Sequence, residues 1–171
     1  MMLNGNRSWM AVAIFLVLLM IPMEVAGQSL EDPEVQELFV IARGLFDNIR
    51  KRNYVSIWDG ITAKSRKKIV DTVYKEQKKT KEKLTRDQIR RDFDACGTMC
   101  KAYWGAYSRA FNPASALQQS RWDIGFIKKK KAEIWITHQN ADRPAKLKLF
   151  REKGEWKVGL METFWTYWTR K

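Results

Sequence analysis

The spacing of apolar residues changes once along this chain, and that change limits the fold more than any other feature. As far as Phe111, apolar side chains recur at three-four spacing, the mark of helices with one buried stripe. From Trp122 they recur at every second position, which suits strands with one dry face. Helices first and strands afterwards exclude the alternating order of a parallel α/β sheet. They predict an α+β fold, with helices on one face of an antiparallel sheet of about four strands.

Asp32 is a good N-cap and Pro33 suits the first helical position, so the first helix starts there. Its stripe is Val35, Leu38, Phe39, Ala42, Leu45, Phe46 and Ile49. Tyr54, Ile57, Trp58 and Ile61 read as a short apolar turn, and a second helix begins near Ala63 with Ile69, Val70, Val73 and Tyr74. "KEQKKTKEKLT", residues 75–85, is charged and aperiodic, hence a frayed helix end and exposed linker. Thr85 with Gln88 forms a capping box. It opens a helix carrying the strongest stripe of the chain: Ile89, Phe93, Cys96, Cys100, Trp104, Tyr107 and Phe111. "NPAS", residues 112–115, stops that helix.

Three strands then show as Trp122, Ile124 and Phe126, as Ala132, Ile134 and Ile136, and as Leu147 and Leu149. "GEWKVGLMETFW", residues 154–165, supplies the fourth, with Trp156, Val158, Leu160 and Phe164 on one face and Glu162 intruding into that series. The tail "FWTYWTR" either extends this strand as a lid or forms a dimer or membrane-interface patch.

Residues 1–27 stand apart. Arg7 precedes an apolar run over 9–23, long enough for a signal-peptide core and short of the roughly 18 residues of a spanning helix. Val25, Ala26 and Gly27 set small residues where a signal peptidase reads, so cleavage is expected before Gln28, leaving a single domain over 28–171. The product is exported, periplasmic or secreted; an uncleaved inner-membrane anchor is the alternative. The formal net charge of +13 survives that cleavage, since the leader carries one Arg and one Glu. Without an aromatic-interleaved RNA-binding signature, nucleic acid is not an expected partner. Anionic envelope surfaces fit an exported basic protein, as does a merely solvated basic surface.

The first helix leading into "RNYVSIWDGIT", and a strand meander ending in "REKGEWKVGLMET", resemble the nuclear transport factor 2-like, or cystatin-like, superfamily. Trp58, Gly154, Trp156 and Val158 carry the likeness, which spans 34–164. The resemblance implies a cone: helices packed on the concave face of a curved sheet, enclosing a cavity. Some members are isomerases or cyclases, others only bind a ligand, dimerise through the outer sheet face or dock a partner.

Alternation turns Glu162 towards the helices, where a carboxylate is either paired or a general-base candidate. Trp58, Trp104, Tyr107 and Trp122 join it as candidate pocket-lining residues. An isomerase-type oxyanion hole needs partners such as Tyr103, Tyr107 or Asp123, and no spacing ties these to Glu162. His138, the only histidine, falls beside a turn, and with two cysteines it does not make an ordinary zinc site. No metal or cofactor is expected. Cys96 and Cys100 stand one helical turn apart, too far for an unstrained bridge on a regular helix, so two core thiols are favoured over a disulfide. The leading functional expectation is a non-catalytic binding domain of the bacterial cell envelope, taking a small apolar ligand or a partner. The alternatives are an enzyme using Glu162 as base, and adhesion through lysines and the aromatic tail.

Overall fold

Helix caps set the order of the N-terminal half. Asp32 accepts the Glu34 N–H at 2.8 Å, and Pro33 begins α1 (Pro33–Lys51), whose stripe from Val35 to Ile49 is buried. The chain turns at Arg52, in the left-handed region at φ 57, and Asn53 caps a short helix, α2 (Tyr54–Gly60). The apolar turn expected around Trp58 is thus helical. Thr62 accepts the Ser65 N–H at 3.0 Å to open α3 (Ala63–Gln77). Both bonds of the capping box between Thr85 and Gln88 open α4 (Arg86–Asp94).

The chain is described by a computed structural model over residues 32–80 and 83–168, with side chains as far as Phe164. The apolar leader and its cleavage point lie outside the described residues, as do the side chains of Trp165, Tyr167 and Trp168.

The strongest stripe does not belong to one helix. It is divided at Cys96, φ 46, and Gly97, after which α5 (Thr98–Ala110) begins. Asp92 makes the break: its carbonyl accepts the Gly97 N–H at 2.7 Å and its carboxylate the Cys100 N–H at 2.8 Å, capping α5 from α4. A Cβ at Gly97 would collide with the Asp92 carboxylate, so a side chain there would displace the cap. The break also revises the cysteine argument, which assumed a regular helix. With the backbone folded over, the two Cα atoms are 5.0 Å apart and the structure joins Cys96 to Cys100. "NPAS" likewise starts a helix, α6 (Pro113–Gln118), because Asn112 accepts the N–H groups of Ala114 and Ser115.

Four antiparallel strands follow in sequential order: β1 (Ser120–Lys128), β2 (Lys131–His138), β3 (Ala145–Glu152) and β4 (Glu155–Val158). Trp122 opposite Ile136, Ile124 opposite Ile134, Ile134 opposite Leu147, and Leu149 opposite Val158 form the inner face. At Gly125 the Trp135 indole lies where a Cβ would stand, and the register of β1 slips. The slip turns Phe126 outward, 39% exposed, and brings Ile127 opposite Ala132 instead.

The last strand is shorter than alternation predicts. Gly159 donates to the Lys148 carbonyl at 2.8 Å, the chain leaves the sheet, and Leu160 starts a seventh helix, α7 (Leu160–Trp168). Leu160 and Phe164 share a face at helical spacing as readily as at strand spacing. Glu162 was out of place because the period had already changed. One hydrophobic cluster gathers residues of α1 to α5, the sheet and Leu160, with Trp104 and Phe93 its largest fully buried members.

Replacing Asp92 by Ala should cost about 1 kcal/mol as a lost cap, and Gly97→Ala about 1–3 kcal/mol through the collision. In urea melts the double variant should cost less than the sum, by at least about 0.5 kcal/mol. Strict additivity would remove Asp92 as the cause of the break.

Candidate functional site

The first turn of α3 gathers the carboxylates. Glu162 accepts the Thr62 hydroxyl at 2.8 Å and the Ser65 hydroxyl at 2.5 Å. Ser65 Oγ in turn accepts the Met161 N–H at 3.0 Å. Beside them Glu152 accepts the Ala63 N–H, 3.0 Å to the nearer oxygen. Helix N-termini carry unpaired N–H groups and the positive end of the helix dipole, so two carboxylates are stabilised here. Glu162 is therefore a tie between α7 and α3. Its carboxylate turns to hydroxyl groups, and its position on a helix replaces the inward-facing strand position that alternation assigned to it.

The aromatic candidates fall into a row through the helical layer. Trp58, Phe93, Tyr103, Trp104, Tyr107 and Phe111 follow one another at centroid distances of 4.8 to 5.9 Å. Phe46 links Phe111 to Trp122 at 5.4 and 5.3 Å. Trp104 is fully buried, and Trp122 donates to the Ala116 carbonyl at 3.0 Å. Burial among these rings pushes the Tyr103 phenol from its ordinary value near 10 up to about 12, and raises Tyr107 further. Both are neutral phenols at physiological pH. Asp123 lies on the outer sheet face, paired with Arg121 at 2.8 Å, so it does not join the tyrosines.

His138 is fixed as one tautomer. Its Nδ1 accepts the Asn140 N–H at 3.2 Å, which puts the proton on Nε2. Ser115 Oγ lies 2.9 Å from Nε2 and 2.9 Å from Gln119 Oε1, so the serine accepts from histidine and donates to glutamine. A serine nucleophile needs the reverse arrangement. Expected beside a turn, His138 closes β2, where it is half-buried and bonded in this network.

Two cavities matter. An open cleft of about 1030 Å³ lies between α3 and α4, lined by Trp58, Arg66, Arg86, Arg90 and the acids Asp71, Asp87 and Asp94. Arg86 bonds Asp71 at 2.6 Å and holds that carboxyl below the usual range, Arg90 lies 3.3 Å from Asp87, and the Trp58 indole N–H donates to Asp94 at 2.8 Å. A smaller pocket of about 250 Å³ lies between α1, α6, α7 and the inner sheet face. Phe46, Phe111, Ile136, Ala145 and Phe164 wall it, with Ser115 and His138 at its polar side.

Of the five candidate lining residues, Trp58 borders the cleft, while Trp104, Tyr107 and Trp122 belong to the aromatic row and Glu162 to the α3 tie. Sequence reasoning missed the smaller pocket because Ser115, Ala116 and Phe164 line it from α6 and α7, elements read as a stop and a strand. Among the described residues no group of three or more His, Cys, Asp and Glu side chains is placed to hold a metal ion, and no helix is long and apolar enough to cross a membrane. No family model, curated protein or solved structure matches the chain.

Glu162→Ala should lower stability by about 2 kcal/mol, since two hydroxyl donors lose a charged acceptor, and Glu162→Gln by about half as much. Urea midpoints within about 0.5 kcal/mol of the parent for both would show that the tie carries no weight. Tyr103 gives a pH prediction. Between about pH 10 and 12 the folded state keeps a proton that the unfolded chain has released, so stability falls as pH rises through that window. Tyr103→Phe should flatten the alkaline decline in melting temperature; an unchanged slope would refute it.

Proposed function

We propose that this chain is an exported, non-catalytic binding domain of the bacterial cell envelope, of the nuclear transport factor 2-like type, which holds a small apolar ligand in the pocket behind Phe164. One observation carries the reading. The helices and the inner sheet face leave a mainly apolar pocket between them, walled by rings and bordered by α7, with Asn112, Ser115, Ser120 and His138 as its polar groups. Its volume, about 250 Å³, falls just below the common range for ligand sites, so the ligand is small.

Further support comes from the strand meander with its Lys153-Gly154 turn and from the Trp58 helix, the pieces that carry the family resemblance. The groups nearby support the non-catalytic part of the reading. Glu162 is taken up by Thr62 and Ser65, and the proton on His138 Nε2 faces Ser115. The leader over 1–27 supports export, into the periplasm or beyond, and an uncleaved leader would keep the domain at the inner membrane.

Ala145 sits at an exposed position of the pocket wall, so a larger side chain can fill the space without straining the core. A neutral apolar fluorophore, N-phenyl-1-naphthylamine, should bind the parent saturably at one site, and Ala145→Phe should weaken it at least about tenfold, roughly 1.4 kcal/mol, without shifting the melting temperature. Absence of saturable binding, or indifference to Ala145→Phe, would sink the proposal.

A further inference from the structure

We infer that the outer face of the sheet is a docking surface for a bilayer rich in anionic phospholipid head groups. The strand register gathers the lysines there. Lys128 stands opposite Lys131, with Lys129 and Lys130 in the turn between them. On the same face Lys148 stands opposite Glu133, and Lys146 opposite Trp135. All six lysines are exposed.

Of the acids on this face only Glu133 meets any of these lysines, so the charges of Lys128 to Lys131 are left unanswered. Asp123 is paired with Arg121 and Glu155 with Lys157, each at 2.8 Å, and Glu152 is turned to the Ala63 N–H of α3. Glu133, only 9% exposed, accepts the Trp135 indole N–H at 2.7 Å and lies 3.9 Å from Lys146. Like charges directly opposite one another on paired strands oppose folding. Lys128 against Lys131, flanked by two more lysines, is therefore unfavourable in water and is relieved by an external anion.

Two aromatic rings decide which anionic surface fits. Phe126 and Trp135 are exposed among the lysines, at 39% and 37%, with Lys128 5.6 Å from the first ring centroid and Lys146 5.4 Å from the second. The Gly125 slip is what turns Phe126 outward. A soluble polyanion would engage the lysines and gain little from a phenyl ring. The head-group boundary of a bilayer takes both, phosphates beside the ammonium groups and rings beneath them. The ligand pocket opens on the other side of the sheet, so docking leaves it free.

The test is co-sedimentation of the full chain with vesicles of phosphatidylcholine alone and of phosphatidylcholine mixed with phosphatidylglycerol. Any retention through the N-terminal apolar segment appears on both vesicles, so their difference reports the head groups. Binding to the mixed vesicles should exceed that to neutral ones at least about tenfold and collapse between about 0.1 and 0.5 M salt. Lys129→Glu with Lys130→Glu, in the turn and with both side chains exposed, should weaken that binding about a hundredfold with an unchanged melt. Phe126→Ser should weaken it severalfold while leaving the salt slope unaltered. Equal retention on both vesicles, or indifference to the lysine reversals, overturns the inference. So does binding to dextran sulfate as tight as to the mixed vesicles and, like it, insensitive to Phe126→Ser, which would assign the face to a polyanion.

Discussion

The first turn of α3 is the joint on which the arrangement of helices and sheet depends. Four donors of two kinds converge there on groups from the C-terminal part of the chain: the Thr62 N–H on the Val158 carbonyl at 3.0 Å, the Ala63 N–H on Glu152, and two hydroxyls on Glu162. A helix start always exposes N–H groups that need acceptors. Here Glu152 of β3 and the Val158 carbonyl of β4 each accept one, and Glu162 of α7 accepts the hydroxyls beside them. Together they set the distance and angle at which α7 closes over the inner face, and so the depth of the pocket behind Phe164.

A second constraint is the row of aromatic rings, which does for the helical layer what the strand ladder does for the sheet. Rings of this size cannot slide past one another without opening voids, and tilted or edge-on contacts add to their burial. The row runs from Trp58 in α2 across α4 and α5 to Phe46 in α1 and Trp122 in β1. It brings elements distant in sequence to a common spacing. The break at Cys96 and Gly97 lets the row turn: a straight helix from Thr85 to Phe111 would have carried Trp104 and Tyr107 away from α1.

Much of the architecture was legible in the residues, because periodicity and caps are local signals. Asp32, Thr85 with Gln88, the α1 stripe and the inner faces of the strands all read directly. What escaped depends on contacts between segments. Asp92 reaching the Cys100 N–H ends a helix whose stripe continues unbroken in sequence. Trp135 lying over Gly125 reverses Phe126. At 160–164 the two periods coincide, Leu160 and Phe164 satisfying either, and only Glu162 told them apart. The candidate site was the least legible part, since neither the Ser115 and His138 contact nor the convergence on Glu162 leaves a mark on nearby sequence. Glu162 was singled out correctly as anomalous and its setting was misjudged.

The joint at α3 also has a bearing on time. Its side-chain bonds to Glu152 and Glu162 span 89 to 100 positions along the chain. Contacts of such separation form late, after the loop between them has closed at an entropic cost. A polypeptide emerging N-terminus first therefore holds its helices without this fastener until the segment carrying Glu152 and Glu162 is released. The acceptors that complete α3 are made 89 to 100 positions after their donors, so α3 lacks them for as long as that stretch of chain is unfinished.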